Sequence, residues 1–97
     1  MEFKKLFETL EIRSYTLTNR IIVSPMASAQ TLGNGEPTPE MLYRYEEMAS
    51  GGPAMIIVEI AEVDSRHLYE RPILRVDTDY HAFVLHELAQ RIRLNGV

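Results

Sequence analysis

The sequence predicts an α/β fold with parallel strands, on three observations. Two short runs, residues 21–23 and 54–58, are apolar without alternation, which is typical of strands covered on both faces. A helical pattern follows each run, and alternating strands and helices favour right-handed βαβ units. Alternating residues near the N-terminus add a hairpin, so the predicted order is hairpin, strand, helix, strand, helix.

The hairpin is predicted from residues 11–18. Polar and apolar side chains alternate in residues 11–13 and again in residues 16–18, on either side of Ser14-Tyr15. This pattern indicates two half-buried strands with a turn at Ser14-Tyr15. The residues before the hairpin carry apolar side chains at the spacing of one or two helical turns: Phe3, Leu6, Phe7 and Leu10.

The first core strand is predicted over residues 20–24. Its centre, residues 21–23, is entirely β-branched, and Pro25 ends it because proline has no N–H to donate. Residues 27–30 are small and polar, as expected where a ligand approaches the backbone. Ligands of α/β proteins bind at the carboxyl ends of strands. From the residues alone, the alternative interpretation also remains: a plain core strand that ends at a proline, without a ligand site.

The first helix is predicted to begin at Thr38-Pro39-Glu40. Thr38 can cap the free N–H groups, Pro39 suits the first helical position, and Glu40 favours the positive end of the helix dipole. Gly51-Gly52-Pro53 ends the helix. Its apolar stripe, which we expect to face the core, comprises Met41, Leu42, Tyr45, Met48 and Ala49.

The second strand, residues 54–58, runs into a long loop predicted over residues 65–78. Asp77, Thr78 or Asp79 could cap a last helix that ends at Asn95-Gly96. The apolar side of this helix is predicted to comprise Phe83, Leu85, Leu88, Ala89 and Ile92.

Two core strands leave open, hydrophobic edges, which invite pairing with further strands. A third strand should begin where the sequence ends, at Val97. We therefore expect either a piece of a larger barrel or sheet, or a chain that another chain completes.

The composition excludes or disfavours several classes of function. The 97 residues include 14 acidic and 10 basic side chains, a net charge of −4, which argues against a nucleic-acid partner. The absence of cysteine excludes disulfides and cysteine-ligated metals within these residues and fits a cytoplasmic location. The N-terminus lacks the apolar core of a signal peptide, and no apolar run approaches the roughly 20 residues of a membrane span.

Few side chains suggest chemistry by themselves. Glu59 and Glu62 follow the second strand and could form a carboxylate pair, although solvated loop acids are the favoured interpretation. The glycines at positions 33 and 35 lack the lysine and spacing of a phosphate-binding loop.

The histidines do not indicate a particular metal or ligand site either. His81 and His86 are five residues apart on one predicted helix, so they point to different faces and cannot share a metal. His67, beside Arg66 in the long loop, could contact an anionic ligand, but a structural role is favoured.

The order and spacing of several motifs, from about Leu6 to Val97, resemble the old yellow enzyme family of NAD(P)H:flavin oxidoreductases. The motifs that carry this resemblance are Leu6-Phe7, residues 17–26, residues 34–38, Tyr43, Tyr45-Glu46, Ala49, Gly51-Gly52 and residues 56–59. The larger branch of the family, with 2-enoate and dienoyl-CoA reductases, is the more similar one.

The resemblance implies an FMN-binding TIM (β/α)8 barrel whose bottom an N-terminal hairpin closes. Residues 1–97 would supply that hairpin and the first two β/α units, and the remainder of the barrel would be absent from this chain. The implied reaction passes hydride from NAD(P)H to the flavin and then to an activated alkene. The larger branch also implies an iron–sulfur cluster, bound outside these residues.

The same resemblance implies a cofactor site. Ser24, Pro25, Met26 and Ala27 would lie against the flavin ring, largely through backbone groups, and the amide of Ile60 would lie near its carbonyl edge. The family often has Thr or Cys at the position of Ala27 and a small residue at that of Ile60, so the usual tuning of the flavin is in doubt. The substrate-orienting and proton-donating residues belong to later barrel segments, so no catalytic residue is implied here.

The sequence therefore predicts the N-terminal segment of an FMN-dependent oxidoreductase of the ene-reductase type. Its expected partners are an alkene or enone substrate and either the remaining barrel segments or further copies of the chain, without membrane or nucleic acid. The chain alone is expected to be inactive. The alternative is a non-catalytic subunit or truncated barrel fragment that completes or pairs with another chain.

Overall fold

The computed structural model describes residues 3–64, 66 and 72–97. In these residues the predicted order of hairpin, strand, helix, strand and helix is confirmed, with one further pair of short strands. The elements are a 3-10 turn (Lys4–Phe7), β1 (Leu10–Ile12), β2 (Tyr15–Leu17), β3 (Ile22–Val23), α1 (Pro39–Ser50), β4 (Met55–Ile56), β5 (Ala61–Glu62), β6 (Leu74–Arg75) and α2 (Asp79–Arg93).

The hairpin pairs β1 with β2 in antiparallel register, with Ile12 opposite Tyr15. Its turn therefore lies at Arg13-Ser14, and the predicted turn at Ser14-Tyr15 is wrong by one residue. Arg13 makes the tight connection possible because its φ is +53°, in the left-handed region. Tyr15 instead opens β2, and Leu17 is the residue that this strand buries.

The two core strands, β3 and β4, pair in parallel as predicted. They are shorter than the apolar runs over residues 20–24 and 54–58, and Pro25 supplies the reason. The Val23 carbonyl accepts from the Ile57 N–H at 3.0 Å. Alternate residues of β3 face β4, so the residue after Val23 that would bond to the other strand is residue 25. Pro25 has no N–H to donate, and the pairing ends there.

The opposite, N-terminal ends of the same strands are joined by Asn19. Its amide nitrogen donates to the Gly52 carbonyl at 2.8 Å, and its side-chain oxygen accepts from the backbone N–H groups of Ile21 and Ala54. One side chain therefore closes the end of the sheet at which β3 and β4 begin.

The pair formed by β5 and β6 was not predicted, because residues 65–78 were expected to form a loop. Ala61 lies opposite Leu74 and Glu62 opposite Arg75, in parallel register. Leu74 is completely buried and packs in one apolar cluster with residues of both helices, among them Met41 and Leu88. Strands of two residues are too short for hydrophobic periodicity to reveal.

Threonine caps start both helices. Thr38 accepts from the Met41 N–H at 3.2 Å, and Thr78 accepts from the His81 N–H at 3.1 Å. Thr78 is thus the cap among the three predicted candidates. The helices pack together over one core, which comprises Met41, Leu42, Tyr45, Ala49, Leu74, Leu88 and Ile92.

The buried face of α2 differs from the prediction at Phe83, which is 73% exposed, and at Ala89, which is also exposed. His81 is buried instead, in line with Leu88 and Ile92. Phe83 follows His81 by two residues and so lies about 200° around the helix from it. The helix begins at Asp79, one turn before Phe83. The position of this start determines which face of the helix contacts α1.

The helices cover one face of the core strands. Ile56 and Val58 pack towards the helices, whereas Ile57 points away and is 46% exposed. Ile22 in β3 and Ile21 directly before it are also exposed. An apolar groove of about 570 Å³ lies between β4 and α2. Within the described part of the chain, no helix has the length and apolar character needed to cross a membrane.

Candidate functional site

The residues predicted to bind a cofactor lie at the carboxyl ends of β3 and β4. Residues 24–27, here called the lip, directly follow β3, and Ile60 follows the end of β4. Because the strands are parallel, both segments reach the same edge of the sheet. Ser24, Pro25 and Ala27 are exposed, as are Met26 (50%) and Ile60 (40%).

Ser28 and Glu59 join the two segments. Ser28 follows the lip, and both its N–H and its hydroxyl donate to Glu59 Oε2 at 3.1 Å. The Ser28 oxygen also accepts from the Gln30 N–H at 3.2 Å, so its own proton is directed to the carboxylate. Glu59 is only 5% exposed.

Tyr45 holds the other side of Glu59. Its hydroxyl donates to Glu59 Oε1 at 3.1 Å and accepts from the Glu59 N–H at 3.0 Å. Burial, together with the adjacent negative charge of Glu59, raises the pKa of Tyr45 to about 12. Tyr45 therefore stays protonated at physiological pH and acts as a donor.

Glu59 accepts three hydrogen bonds and needs to supply no proton, which fits an ionised carboxylate. The expectation of solvated loop acids is therefore wrong for Glu59, because α1 and the segment after the lip enclose it. Glu62 lies in β5 and is half-buried. Two signals pointed to this site: an acid directly after an apolar strand, and a tyrosine on a buried helix face whose hydroxyl needs a partner.

The loop before α1 is fixed by contacts with residues 75–81. Gly35 has a φ of +85°, and a Cβ built on it would overlap the Arg75 side chain at Cγ. Arg75 in turn donates to both oxygens of Asp77, at 3.0 and 2.8 Å. His81 Nε2 donates to the Asn34 carbonyl at 2.7 Å. Packing under Arg75 explains this glycine without any phosphate ligand.

His81 is buried and His86 is exposed, so the prediction that they point to different faces is confirmed. In residues 3–64, 66 and 72–97, no group of three or more His, Cys, Asp or Glu side chains could hold a metal ion. His67 lies outside the described residues. Its neighbour Arg66 is exposed and forms an ion pair with Asp64 at 2.6 Å.

The lip has the properties that contact with FMN requires. Three of its four residues have side chains no larger than proline, and all four are exposed. Among the described residues, no backbone hydrogen bond uses the N–H or C=O groups of residues 24–27. These groups are therefore open to a flat ring system, and the residues present fit the cofactor.

The comparisons with known proteins agree on one family. The model of the NADH:flavin oxidoreductase / NADH oxidase family matches residues 5–97. The chain is 32% identical over 93 residues to an NADPH dehydrogenase of Halalkalibacterium halodurans and 30% identical over 94 residues to one of Bacillus subtilis. It covers 28% of each of these proteins, and they cover 95% and 96% of it.

An NADH:acrylate oxidoreductase of Vibrio harveyi is 36% identical over 80 residues, which are 82% of this chain and 8% of that protein. Among solved structures, the old yellow enzyme from Trypanosoma cruzi superposes with a TM-score of 0.86 at 27% identity, covering 97% of this chain and 25% of its own. A 2-naphthoyl-CoA reductase complex, at 15% identity, shares the fold with a TM-score of 0.91 over 99% of this chain and 15% of its own.

Proposed function

The chain belongs to the NADH:flavin oxidoreductase / NADH oxidase family, and from that premise we propose that it forms part of an FMN-dependent NAD(P)H oxidoreductase. Its fold is that of the N-terminal part of the old yellow enzyme TIM barrel. The observation that carries the proposal is the parallel pair β3–β4, whose carboxyl ends present an open lip. Active sites of TIM barrels lie at that end of the strands.

We propose that residues 1–97 are the N-terminal portion of the barrel domain. Ser24, Pro25, Met26 and Ala27 hold FMN through their backbone groups, and Ile60 borders the same site. Bound FMN supplies hydride transfer between the nicotinamide and the substrate. Ala27 has no side-chain hydrogen bond to offer the flavin, so the chain contributes position and exclusion of water at this point.

The proposed substrate is a small molecule with an alkene activated by a neighbouring carbonyl. The names of two related proteins, an NADH:acrylate oxidoreductase and a 2-naphthoyl-CoA reductase, support this class. An iron–sulfur cluster would have its cysteine ligands outside these residues, since the chain has no cysteine. The cytoplasm is the proposed location, because a cysteine-free chain fits a reducing compartment.

The catalytic groups that handle the substrate are proposed to lie in the remainder of the barrel, in the same polypeptide or another. The chain spans 28% of the curated NADPH dehydrogenases that it matches. We use the term assembled protein for this chain together with the polypeptide that completes the barrel. The alternative is a non-catalytic chain that pairs with another. The exposed apolar side chains of Ile22 in β3 and of Ile57 directly after β4 favour assembly in both cases.

Flavin content and mass of the purified material test the proposal. The expected result is FMN, released on denaturation, from a species heavier than the 11.2 kDa chain. A colourless 11.2 kDa monomer would contradict it and favour the non-catalytic alternative. Remaining barrel strands in a second polypeptide would indicate a split enzyme.

A further inference from the structure

We propose that Glu59 is a positioning residue for the flavin site: its carboxylate holds the lip through Ser28 and sets the local electrostatic potential. The inference rests on the proposed function, because it assigns a role towards FMN. It is carried by the hydrogen-bond geometry of Ser28, Glu59 and Tyr45.

A side chain holds the lip in place beyond the point where the backbone pairing of β3 and β4 ends. The ladder between β3 and β4 stops at Pro25, and no backbone hydrogen bond joins residues 24–28 to residues 57–60 in the described part of the chain. The two bonds from Ser28 to Glu59 Oε2 connect these segments instead. The carboxylate therefore takes over the connection at the point where the proline interrupts it.

The same connection maintains an unfavourable backbone conformation directly after Ser28. Ala29 has a φ of +59°, a left-handed conformation that is unfavourable for a residue with a Cβ. Such a conformation persists only where its surroundings fix it. Ser28 does so from one side, since its hydroxyl oxygen accepts from the Gln30 N–H and its proton is held by Glu59. Releasing Glu59 would free the turn and the lip that precedes it.

Glu59 also places a buried negative charge beside the lip. Both of its oxygens accept from neutral donors, and no ion pair among the described residues includes this carboxylate. The charge has little screening by solvent. A reduced flavin gains negative charge, so an ionised Glu59 beside the site opposes reduction. Removing the charge should raise the midpoint potential of bound FMN.

Variants of the assembled protein separate these effects. Glu59→Gln removes the charge but keeps one oxygen that can accept from Ser28, whereas Glu59→Leu removes both. Ser28→Ala removes the hydroxyl and keeps the N–H. Glu46→Gln is the control, because Glu46 also joins distant elements, through a 2.6 Å ion pair with Arg91, but away from the lip.

The readouts are the FMN dissociation constant, the midpoint potential and the flavin absorption spectrum. Glu59→Leu should raise the dissociation constant by about tenfold or more, because a buried donor pair is left unsatisfied. Glu59→Gln should bind FMN within a fewfold of the parent but with a higher potential. Ser28→Ala should have an FMN affinity between those of the two Glu59 variants and a potential near that of the parent, because it keeps the charge of Glu59. Glu46→Gln should match the parent in FMN affinity and in potential.

Parent-like FMN affinity and potential in folded Glu59→Gln and Ser28→Ala variants would overturn the inference while leaving the proposed function intact. These two substitutions keep the test decisive if Glu59→Leu does not fold. A parent protein that binds no FMN would overturn the proposed function itself, and this inference with it.

Discussion

Ser28 donates two hydrogen bonds of 3.1 Å to a single oxygen of Glu59, a residue 31 positions further along the chain. This contact joins the carboxyl ends of β3 and β4 beyond the point where their backbone pairing stops. It places the lip, residues 24–27, beside Ile60 at one edge of the sheet. Substitutions at this edge and in the contacts that support it have distinct expected outcomes.

A large side chain at Ala27 should block FMN binding. Ala27 is exposed on the lip, where we propose that the flavin contacts the backbone. Ala27→Trp should therefore reduce flavin content to near zero in the assembled protein, measured by absorbance against protein concentration. Ala82→Trp, at an exposed position on α2, is the matched control. Equal flavin content in the two folded variants would remove Ala27 from the site.

Stability should fall as the pH rises from about 10 to about 12. The pKa of Tyr45 is about 12 in the folded chain, because of burial and the charge of Glu59, and about 10 in an unfolded chain. Above pH 10 the unfolded state therefore loses this proton first, and unfolding becomes more favourable until the folded state also loses it. Below pH 10 the contribution is fully present.

Denaturant unfolding of the assembled protein at several alkaline pH values measures this effect. Tyr45→Phe should flatten the dependence of the unfolding free energy on pH. Tyr43→Phe is the control, because Tyr43 lies on the exposed face of the same helix and should leave most of the slope in place. An unchanged slope in Tyr45→Phe would show that other groups cause the alkaline loss.

Gly35→Ala should destabilise the protein by about 2 kcal/mol or more, since its left-handed φ alone costs about 1–2 kcal/mol. In addition, the new Cβ would overlap Arg75 Cγ, so the arginine must move. Gly33→Ala is the matched control, because Gly33 has space around it and no left-handed φ. Unfolding free energies from chemical denaturation compare the two, and equal losses would contradict the packing argument.

The isolated 97-residue chain should not be a well-folded monomer. Ile21, Ile22 and Ile57 each expose apolar surface in or directly beside the two core strands. Full burial of such a side chain contributes about 1.5–3 kcal/mol, and because these three are 38–46% exposed, each forgoes roughly 1 kcal/mol of it. Three such losses are appreciable beside a typical domain stability of about 5–15 kcal/mol. Sedimentation and thermal melting test the prediction, and a stable monomer with a sharp, cooperative melt would refute it.

Local chemistry made much of the fold predictable. Thr38 and Thr78 act at helix starts through their own side chains, and Pro25 ends its strand because it lacks an N–H. Such effects depend on residues adjacent in the sequence, so the pattern there is sufficient. The parallel arrangement followed from two runs of apolar residues without alternation.

The remaining features depend on partners far away in the sequence. The burial of Glu59 is set by Ser28, 31 positions earlier, and by Tyr45, 14 positions earlier, and neither contact leaves a local periodicity. Leu74 forms a strand only because Ala61 lies beside it. The predicted burial of Phe83 is wrong because the apolar residues of α2 are compatible with several buried faces, and contact with α1 selects one of them.

The Asn19 side chain couples the exchange of two backbone amide hydrogens with solvent. The N–H groups of Ile21 and Ala54 both donate to its Oδ1 atom, although the two residues are 33 positions apart in the sequence. The Ala54 N–H is shared with the Ile21 carbonyl, so an opening that separates the two strand starts exposes both amides at once. Their deuterium uptake should therefore rise and fall together, and Asn19→Ala should accelerate both. The start of two strands thus behaves as one dynamic unit, controlled by a single side-chain oxygen.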